Sequence, residues 1–502
     1  MYSVMDYFEN TCMRYKDKVA IRCENETITY HDLFSRVQIV ASYLKDYITL
    51  NMPVIVFMDK GISAIESFFG ILYAGGCYSL VNPEFPKERI LQIQEVLDTH
   101  VVLTNNQTYS HACSIFTNDV VINVQTIDTK IDKGFIEEVK SKKIDLDPVY
   151  INFTSGSTGV PKGVVVGNRS IIDFINEFTD VFHITDEDII ANQAPFDFDV
   201  SVKDIYSAFF QGATLLIVPK AYFSNPAKLL DYLVEYQATT LIWAVSALCL
   251  ITTFHGLDYK VPSYVNKVIF SGEVMPFKHL SIWMEKLKDA LFVNVYGPTE
   301  ITCNCTYHII DRDRDYQTTI PIGKPFQNER VFLLDEKNQL VTDVDSLGEI
   351  CVSGTCLSLG YYNNPLQSNQ HFTSNPLNTM FFERIYRTGD YGKYNDSNEL
   401  VFCGRKDFQI KYMGHRIELE EIDREIMKVK EVVRCCTIFD EEKSKLYGFY
   451  IGDIDSKELK VLLAEHLPVY MVPTKIIQME EFPLTKNGKI DRKELFKRGS
   501  GK

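Results

Sequence analysis

One ten-residue run, Thr154-Ser155-Gly156-Ser157-Thr158-Gly159-Val160-Pro161-Lys162-Gly163, gathers glycines, hydroxyls and a lysine. Glycines let backbone N–H groups approach an anion, and the hydroxyls of Thr154, Ser155, Ser157 and Thr158 add further donors. Lys162 adds a positive charge. Together with Gly156 and Gly159, these residue types suit the phosphates of a nucleotide. The spacing excludes two common phosphate loops. The P-loop needs glycine directly before its lysine and Ser or Thr directly after it, whereas here Pro161 precedes Lys162 and Gly163 follows. The dinucleotide fingerprint, G-x-G-x-x-G, does not fit this run either.

Further motifs follow in order along the chain. They include Leu72-Tyr73-Ala74-Gly75-Gly76, Phe198-Asp199-Val200-Ser201, Asn294-Val295-Tyr296-Gly297-Pro298-Thr299-Glu300 and Gly360-Tyr361. Beyond these lie Tyr386-Arg387-Thr388-Gly389-Asp390, Gly404-Arg405-Lys406-Asp407, Gly414-His415-Arg416-Ile417-Glu418 and Pro483-Leu484-Thr485-Lys486-Asn487-Gly488-Lys489. In this order and over nearly the whole length, the set resembles the adenylate-forming (acyl-adenylate synthetase) superfamily. The likeness is to a stand-alone amino acid adenylation enzyme, similar to the adenylation domains of nonribosomal peptide synthetases and to D-alanine–D-alanyl carrier protein ligase.

The resemblance implies ATP and Mg²⁺ as cofactors and assigns roles. Tyr296 offers a face to adenine and Asn294 a pairing edge, with Gly272, Glu273, Val295 and Gly297 beside them. Thr299 donates to the α-phosphate and Glu300 holds Mg²⁺. Asp390 accepts from the ribose hydroxyls and Arg405 adds a contact near the nucleotide. Lys489 is the expected catalytic lysine, because an ammonium stabilises the charge that builds as a carboxylate attacks the α-phosphorus. Asp407 matches the position of a hinge about which the small domain turns between adenylation and thiolation.

Asp199 implies an amino acid substrate, since family members that take amino acids carry an aspartate there for the α-ammonium. Counting out from the motifs gives a pocket of Asp199, Val200, Lys203, Trp243, Ile269, Ser271, Val295, Cys303 and Asn304. Trp243 is expected to shorten that pocket. A buried lysine needs a partner. Lys203 either pairs with Asp204 or Asp197, or meets a side-chain carboxylate or hydroxyl of the substrate. The substrate is expected to be small or polar: D-alanine, serine or an acidic amino acid. The thiol acceptor is expected in trans, on the phosphopantetheine of a separate carrier protein. The alternatives are an acyl- or aryl-CoA ligase of the same fold and, in another class, a non-catalytic carrier-protein-binding protein.

These residues need a scaffold of more than one domain, because 502 residues exceed a single ordinary core. Short apolar strands such as 53–58, 101–104 and 268–271 alternate with helical stretches such as 64–74 and 87–97. That pattern predicts an α/β class, with layered β-sheets and helices in a large N-terminal domain. After about residue 329 the chain becomes β-rich, and the last hundred residues read as a small α+β unit. The expected division is 1–404, a hinge at 405–407, and a small mobile domain at 408–502 that carries Lys489. A hydrophobic fraction of 45% is ordinary for a globular chain, and a net charge of −15 argues against nucleic acid as partner. The most apolar stretch, 241–254, is too short to span a bilayer, and Met1–Lys18 shows no signal-peptide pattern, so the cytoplasm is the expected location. Twelve cysteines without a CxxC pair give no support to a zinc site.

Overall fold

Parallel strands buried on both faces read as continuous apolar runs, and several such runs lie side by side here. The computed structural model describes residues 2–24, 26–156, 160–316, 319–406, 409–441, 443–484 and 490–500. The chain divides into two compact units. One comprises Met1–Pro83, Leu97–Asn152 and Gly163–Lys406, and the other gathers Glu84–Val96, Phe153–Lys162 and Asp407–Lys502.

The first unit is mixed α/β with layered sheets, the class the motifs imply. Five strands of its largest sheet position candidate residues: Ile189–Asn192 (β1), Thr240–Ala244 (β2), Lys267–Ser271 (β3), Leu291–Tyr296 (β4) and Thr306–Ile309 (β5). The nine-stranded order runs Lys324–Pro325, β5, β4, β3, β2, β1, Thr214–Ile217, Val19–Cys23, Glu26–Thr29. From β4 to Val19–Cys23 every pairing is parallel, while β4 and β5 pair antiparallel. A seven-stranded sheet and an antiparallel sheet built around Gly348–Gly354 and Arg384–Tyr394 complete the unit.

Side chains on the large sheet alternate with a period of two. Ile242, Ile269, Val293 and Val295 join the largest core cluster on one face. Trp243, Val268, Phe270 and Phe292 join a second cluster. The register pairs Ile242 with Ile269, Trp243 with Phe270, and Ala244 with Ser271. On the first face packs the helix Val200–Gln211 (α1), whose Val202, Ile205, Tyr206 and Phe209 belong to the same core as Ile269. The apolar stretch 241–254 divides into β2 and the helix Val245–Thr253. Among the described residues no helix is long and apolar enough to cross a membrane.

In the second unit Val432–Asp440 and Lys445–Gly452 pair antiparallel around a short turn, and Lys475–Gln478 adds a parallel third strand. The hairpin Gln409–Tyr412 and His415–Glu418 leads into the helix Leu419–Met427. That helix is strongly amphipathic, and its Leu419, Ile422 and Ile426 are buried with Leu459 and Leu463 of the helix Ser456–His466.

Candidate active site

The glycine-rich run begins where the strand Pro148–Thr154 ends. Within the second unit, the Ser155 hydroxyl donates to the Arg416 carbonyl at 2.8 Å and accepts from the Glu418 amide at 3.2 Å. The Gly156 amide donates to Glu421 Oε2 at 3.2 Å, and Arg424 donates to the Gly156 carbonyl at 2.9 Å. Lys162 is buried, with its Nζ 3.9 Å from Glu418 Oε1. Glu421 also pairs with Arg89 at 2.8 Å, and burial raises its carboxyl above the ordinary range despite that partner. The loop amide thus already holds a carboxylate oxygen, which is what a phosphate-binding amide recognises. Ser157, Thr158 and Gly159 lie outside the described residues, as do Asp407 and Lys489.

In the first unit, β4 carries Asn294, Val295 and Tyr296 and then turns sharply. A Cβ on Gly297 would stand 2.5 Å from Asn304 Cα and 2.7 Å from the Cys303 carbonyl, so only glycine fits the turn. Thr299 and Glu300 lie on the single 3₁₀ turn Thr299–Ile301. The chain then passes through Thr302 (φ 54°) and Cys303 (φ 82°), two successive left-handed residues that are not glycine. Such residues cost about 1–3 kcal/mol each and persist where surrounding contacts hold them. Here the Thr302 hydroxyl donates to the Cys356 carbonyl at 2.7 Å, and the Cys305 amide donates to the Tyr296 carbonyl at 2.8 Å. The tight return brings Cys303 and Asn304 back beside Gly297.

Around this turn the nucleotide candidates divide into two groups. Glu300 is buried and accepts from the Tyr361 hydroxyl at 2.7 Å. Among the described residues no group of three His, Cys, Asp or Glu could cage a metal. One buried carboxylate fits Mg²⁺ nonetheless, because this ion binds through one or two carboxylates and completes its shell with substrate phosphates and water. Asp390 is also buried. One of its oxygens accepts from the Tyr296 hydroxyl at 2.5 Å, and the other pairs with the Arg405 guanidinium. Both oxygens expected to meet a ribose are therefore engaged within the protein, with Arg405 directly on Asp390. The Asn294 amide donates to the Pro321 carbonyl at 2.8 Å. Gly272 has φ +97° with open space where a Cβ would project, and Glu273 follows it.

The substrate candidates meet where the Lys203 side chain of α1 reaches Ser271, the last residue of β3, and Asn304, beyond the turn that follows β4. Asp199 is the N-cap of α1, and Lys203 follows one turn later on the same helix face. Lys203 is wholly buried. Its Nζ donates to Ser271 Oγ at 3.1 Å and to Asn304 Oδ1 at 2.8 Å. The Cys303 thiol, 3.6 Å from Asn304 Oδ1, is pushed up to about 12, chiefly by burial, with Asp199 among the charges that raise it. Asp199 also acts on Tyr150, whose buried hydroxyl has no hydrogen-bond partner among the described residues. The structure thus brings together Asp199, Lys203, Ser271, Cys303 and Asn304. Ile269 and Val295 are buried in the core cluster on the same face of the sheet, and Val200 is half-buried at the start of α1.

Two expectations are corrected. Trp243 does not join this pocket. Strand alternation turns its ring to the opposite face of the sheet, where it packs edge-on to Phe223 at 5.3 Å and donates its indole N–H to the Ala191 carbonyl at 2.7 Å. Nor does Lys203 pair with Asp204 or Asp197: among the described residues no carboxylate lies within 4.0 Å of its Nζ. Asp204, next along the helix, faces Asn192, which donates to it at 2.6 Å. Three participants had no assigned role in the sequence reading. Tyr361 stood in a motif whose order alone could have flagged it. Arg89 and Glu421 had no such signal, being 332 residues apart.

Comparison with known proteins bears on the family and the fold. The family described as AMP-binding enzyme matches residues 8–362. The chain is 31% identical over 499 residues to gramicidin S synthase 1 of Brevibacillus brevis, covering 98% of this chain and 44% of that one. It is 32% identical over 497 residues to bacitracin synthase 1 of Bacillus licheniformis, covering 98% of this chain and 9% of that one. It therefore spans less than half the length of these curated relatives. The zwittermicin A synthase ZmaJ of Bacillus cereus is 31% identical over 513 residues, covering 99% of this chain and 95% of ZmaJ. Among solved structures, the Vibrio cholerae adenylation domain AlmE, in complex with glycyl-adenosine-5'-phosphate, superposes with a TM-score of 0.86 at 20% identity, covering 99% and 98% of the two chains. With a family match over most of its length, relatives above 30% identity and a shared fold, the chain belongs to the AMP-binding enzymes of the adenylate-forming superfamily and resembles the adenylation domains of nonribosomal peptide synthetases.

Proposed function

We propose that this enzyme activates an amino acid with ATP and passes it to a thiol. In the first step a substrate carboxylate oxygen attacks the α-phosphorus of ATP. The bond from that phosphorus to the β-phosphate bridging oxygen breaks, and pyrophosphate leaves. In the second step a thiol sulfur attacks the acyl carbon, the acyl–phosphate bond breaks, AMP leaves and the thiol proton passes to solvent. The acceptor in this reading is the phosphopantetheine of a separate carrier protein.

The observation that carries the reading is Asp199, a carboxylate at the start of α1 whose charge acts at Cys303 and Tyr150 in the pocket. It would hold the α-ammonium through charge-assisted hydrogen bonds. AlmE, of the same fold, was solved with an aminoacyl-AMP, which supports the product class. Thr299 would donate to the α-phosphate, and Gly156 and Lys162 to the outer phosphates. Mg²⁺ held by Glu300 would neutralise phosphate charge. Lys489 would stabilise the developing negative charge at the α-phosphorus.

The test is amino-acid-dependent ATP–pyrophosphate exchange over the L and D forms of the standard amino acids. Lys489→Ala is expected to lower exchange roughly 10²–10³-fold, the loss typical of removing one preorganised charge stabiliser. Asp199→Ala is expected to raise the amino acid KM about 10–100-fold, the equivalent of one charged hydrogen bond. An unchanged KM in Asp199→Ala would refute the amine-binding role. Thioester formation on coenzyme A, with none on carrier proteins, would replace the acceptor.

A further inference from the structure

The pocket holds a surplus of hydrogen-bond donors. Lysine offers three donors and no acceptor, serine one donor, and the asparagine amide nitrogen two. Lys203 already uses the acceptor oxygens of Ser271 and Asn304. The Cys303 sulfur, a weak acceptor, takes a third hydrogen bond from Lys203. What remains is donating: the Ser271 O–H and the Asn304 NH₂, around an ammonium whose charge none of these neutral acceptors cancels. The Cys303 thiol, kept protonated by burial, supplies no compensating charge. Asp204, next along α1, is turned to Asn192, and the Lys203 charge acts on it without forming an ion pair. A wholly buried amine held by neutral acceptors, with no carboxylate within 4.0 Å among the described residues, is costly unless a ligand completes it.

An acceptor-only group meets that need, and an ionised carboxylate is the side-chain group that accepts without donating. A primary amide would set its N–H groups against the same donors, and an aliphatic side chain would leave them all unmet. Lys203 stands one turn of α1 from Asp199, with Cβ atoms about 5–6 Å apart. That spacing lets one ligand present an ammonium to Asp199 and an anion to Lys203. The opposed charges also set the direction in which the ligand enters.

We infer that the substrate is an amino acid bearing a carboxylate in its side chain, of the aspartate or glutamate class, read by Lys203 with Ser271 and Asn304. The inference rests on the amino-acid reading above and narrows it. Lys203 is then a specificity-determining residue, and Ser271 and Asn304 position its ammonium as well as donating themselves.

The wild-type enzyme provides the first test. In ATP–pyrophosphate exchange, aspartate or glutamate, in the L or D form, is expected to exceed its own amide, asparagine or glutamine, by at least about 100-fold in kcat/KM, since a site built of hydrogen-bonding groups rejects the mismatched isostere strongly. Lys203→Met is expected to cut that ratio below about tenfold, and Lys203→Arg to retain a preference for the acid. Should the methionine variant fail to fold, judged by its thermal transition, the wild-type ratio alone decides. Preferred exchange with alanine, serine or either amide would overturn the inference and leave amino acid activation standing. No exchange with any amino acid would overturn both.

Discussion

Asp204 lies next to Lys203 on α1, yet burial treats it in its own way. Its carboxyl is raised from 3.8 to about 7, chiefly by desolvation, although Asn192 donates to it. Across Asn192 sits Lys60, lowered to about 7 by the same cause and donating to the Asn192 side chain at 3.1 Å. A raised carboxyl means that the folded state holds its proton more tightly than the unfolded chain. The stability this gives is complete below the ordinary carboxylate range and is lost as pH rises to about 7. For Lys60 the sign is reversed: its contribution is complete above 10.5 and is lost as pH falls toward about 7. Between pH 5 and 7 the Asp204 slope therefore dominates, at up to about 1.4 kcal/mol per pH unit. Asp204→Asn should remove it. The thermal midpoint of the wild type minus that of Asp204→Asn is expected to fall steadily from pH 5 to pH 7. A constant difference over that range would sink the assignment. At this scale the sequence was informative about identity and silent about partners. Asp199, Ser271 and Asn304 were found by counting from motifs, but the choice among partners for Lys203 needed the helix's rotation about its axis.

Elements decide which face a residue serves, and Trp243 shows what that means for a reading by position. Motif spacing placed it correctly along β2 but could not say which way a strand residue points. The parallel register with β3 settles it: Trp243 sits beside Phe270, one step out of phase with Ile269 and Ser271. Trp243→Phe is accordingly expected to cost about 1–2 kcal/mol in denaturant unfolding, from a lost indole hydrogen bond and lost volume, with amino acid preference unaltered. A changed preference at unchanged stability would return Trp243 to the pocket. Where periodicity and end signals coincide, the sequence was close to sufficient. The helix Lys87–Leu97 and the strand Val101–Thr104 were read to the residue. The turn through Thr302 and Cys303 was not legible, because neither residue type announces a left-handed backbone; tertiary contacts impose it.

At the scale of the molecule, the second unit draws together stretches far apart in the chain. The buried pair Arg89–Glu421 ties the segment Glu84–Val96 to the helix Leu419–Met427. Removing one partner of such a pair leaves a buried charge unmet, at a cost of about 3–5 kcal/mol. In Arg89→Met, amide hydrogen exchange over Leu419–Met427 is expected to speed up at least tenfold, while β2, β3 and β4 keep wild-type protection. Unchanged exchange in that helix would show that the pair contributes nothing to holding it. The hydrogen bond from the Gly156 amide to Glu421 has a consequence of its own. If this loop is where triphosphate binds, the enzyme carries a resident competitor for its own nucleotide. Only the fraction of molecules with Glu421 undocked is competent, and the apparent dissociation constant for ATP is the intrinsic one divided by that fraction. Nucleotide affinity would then be set in part by a glutamate that need never touch the nucleotide.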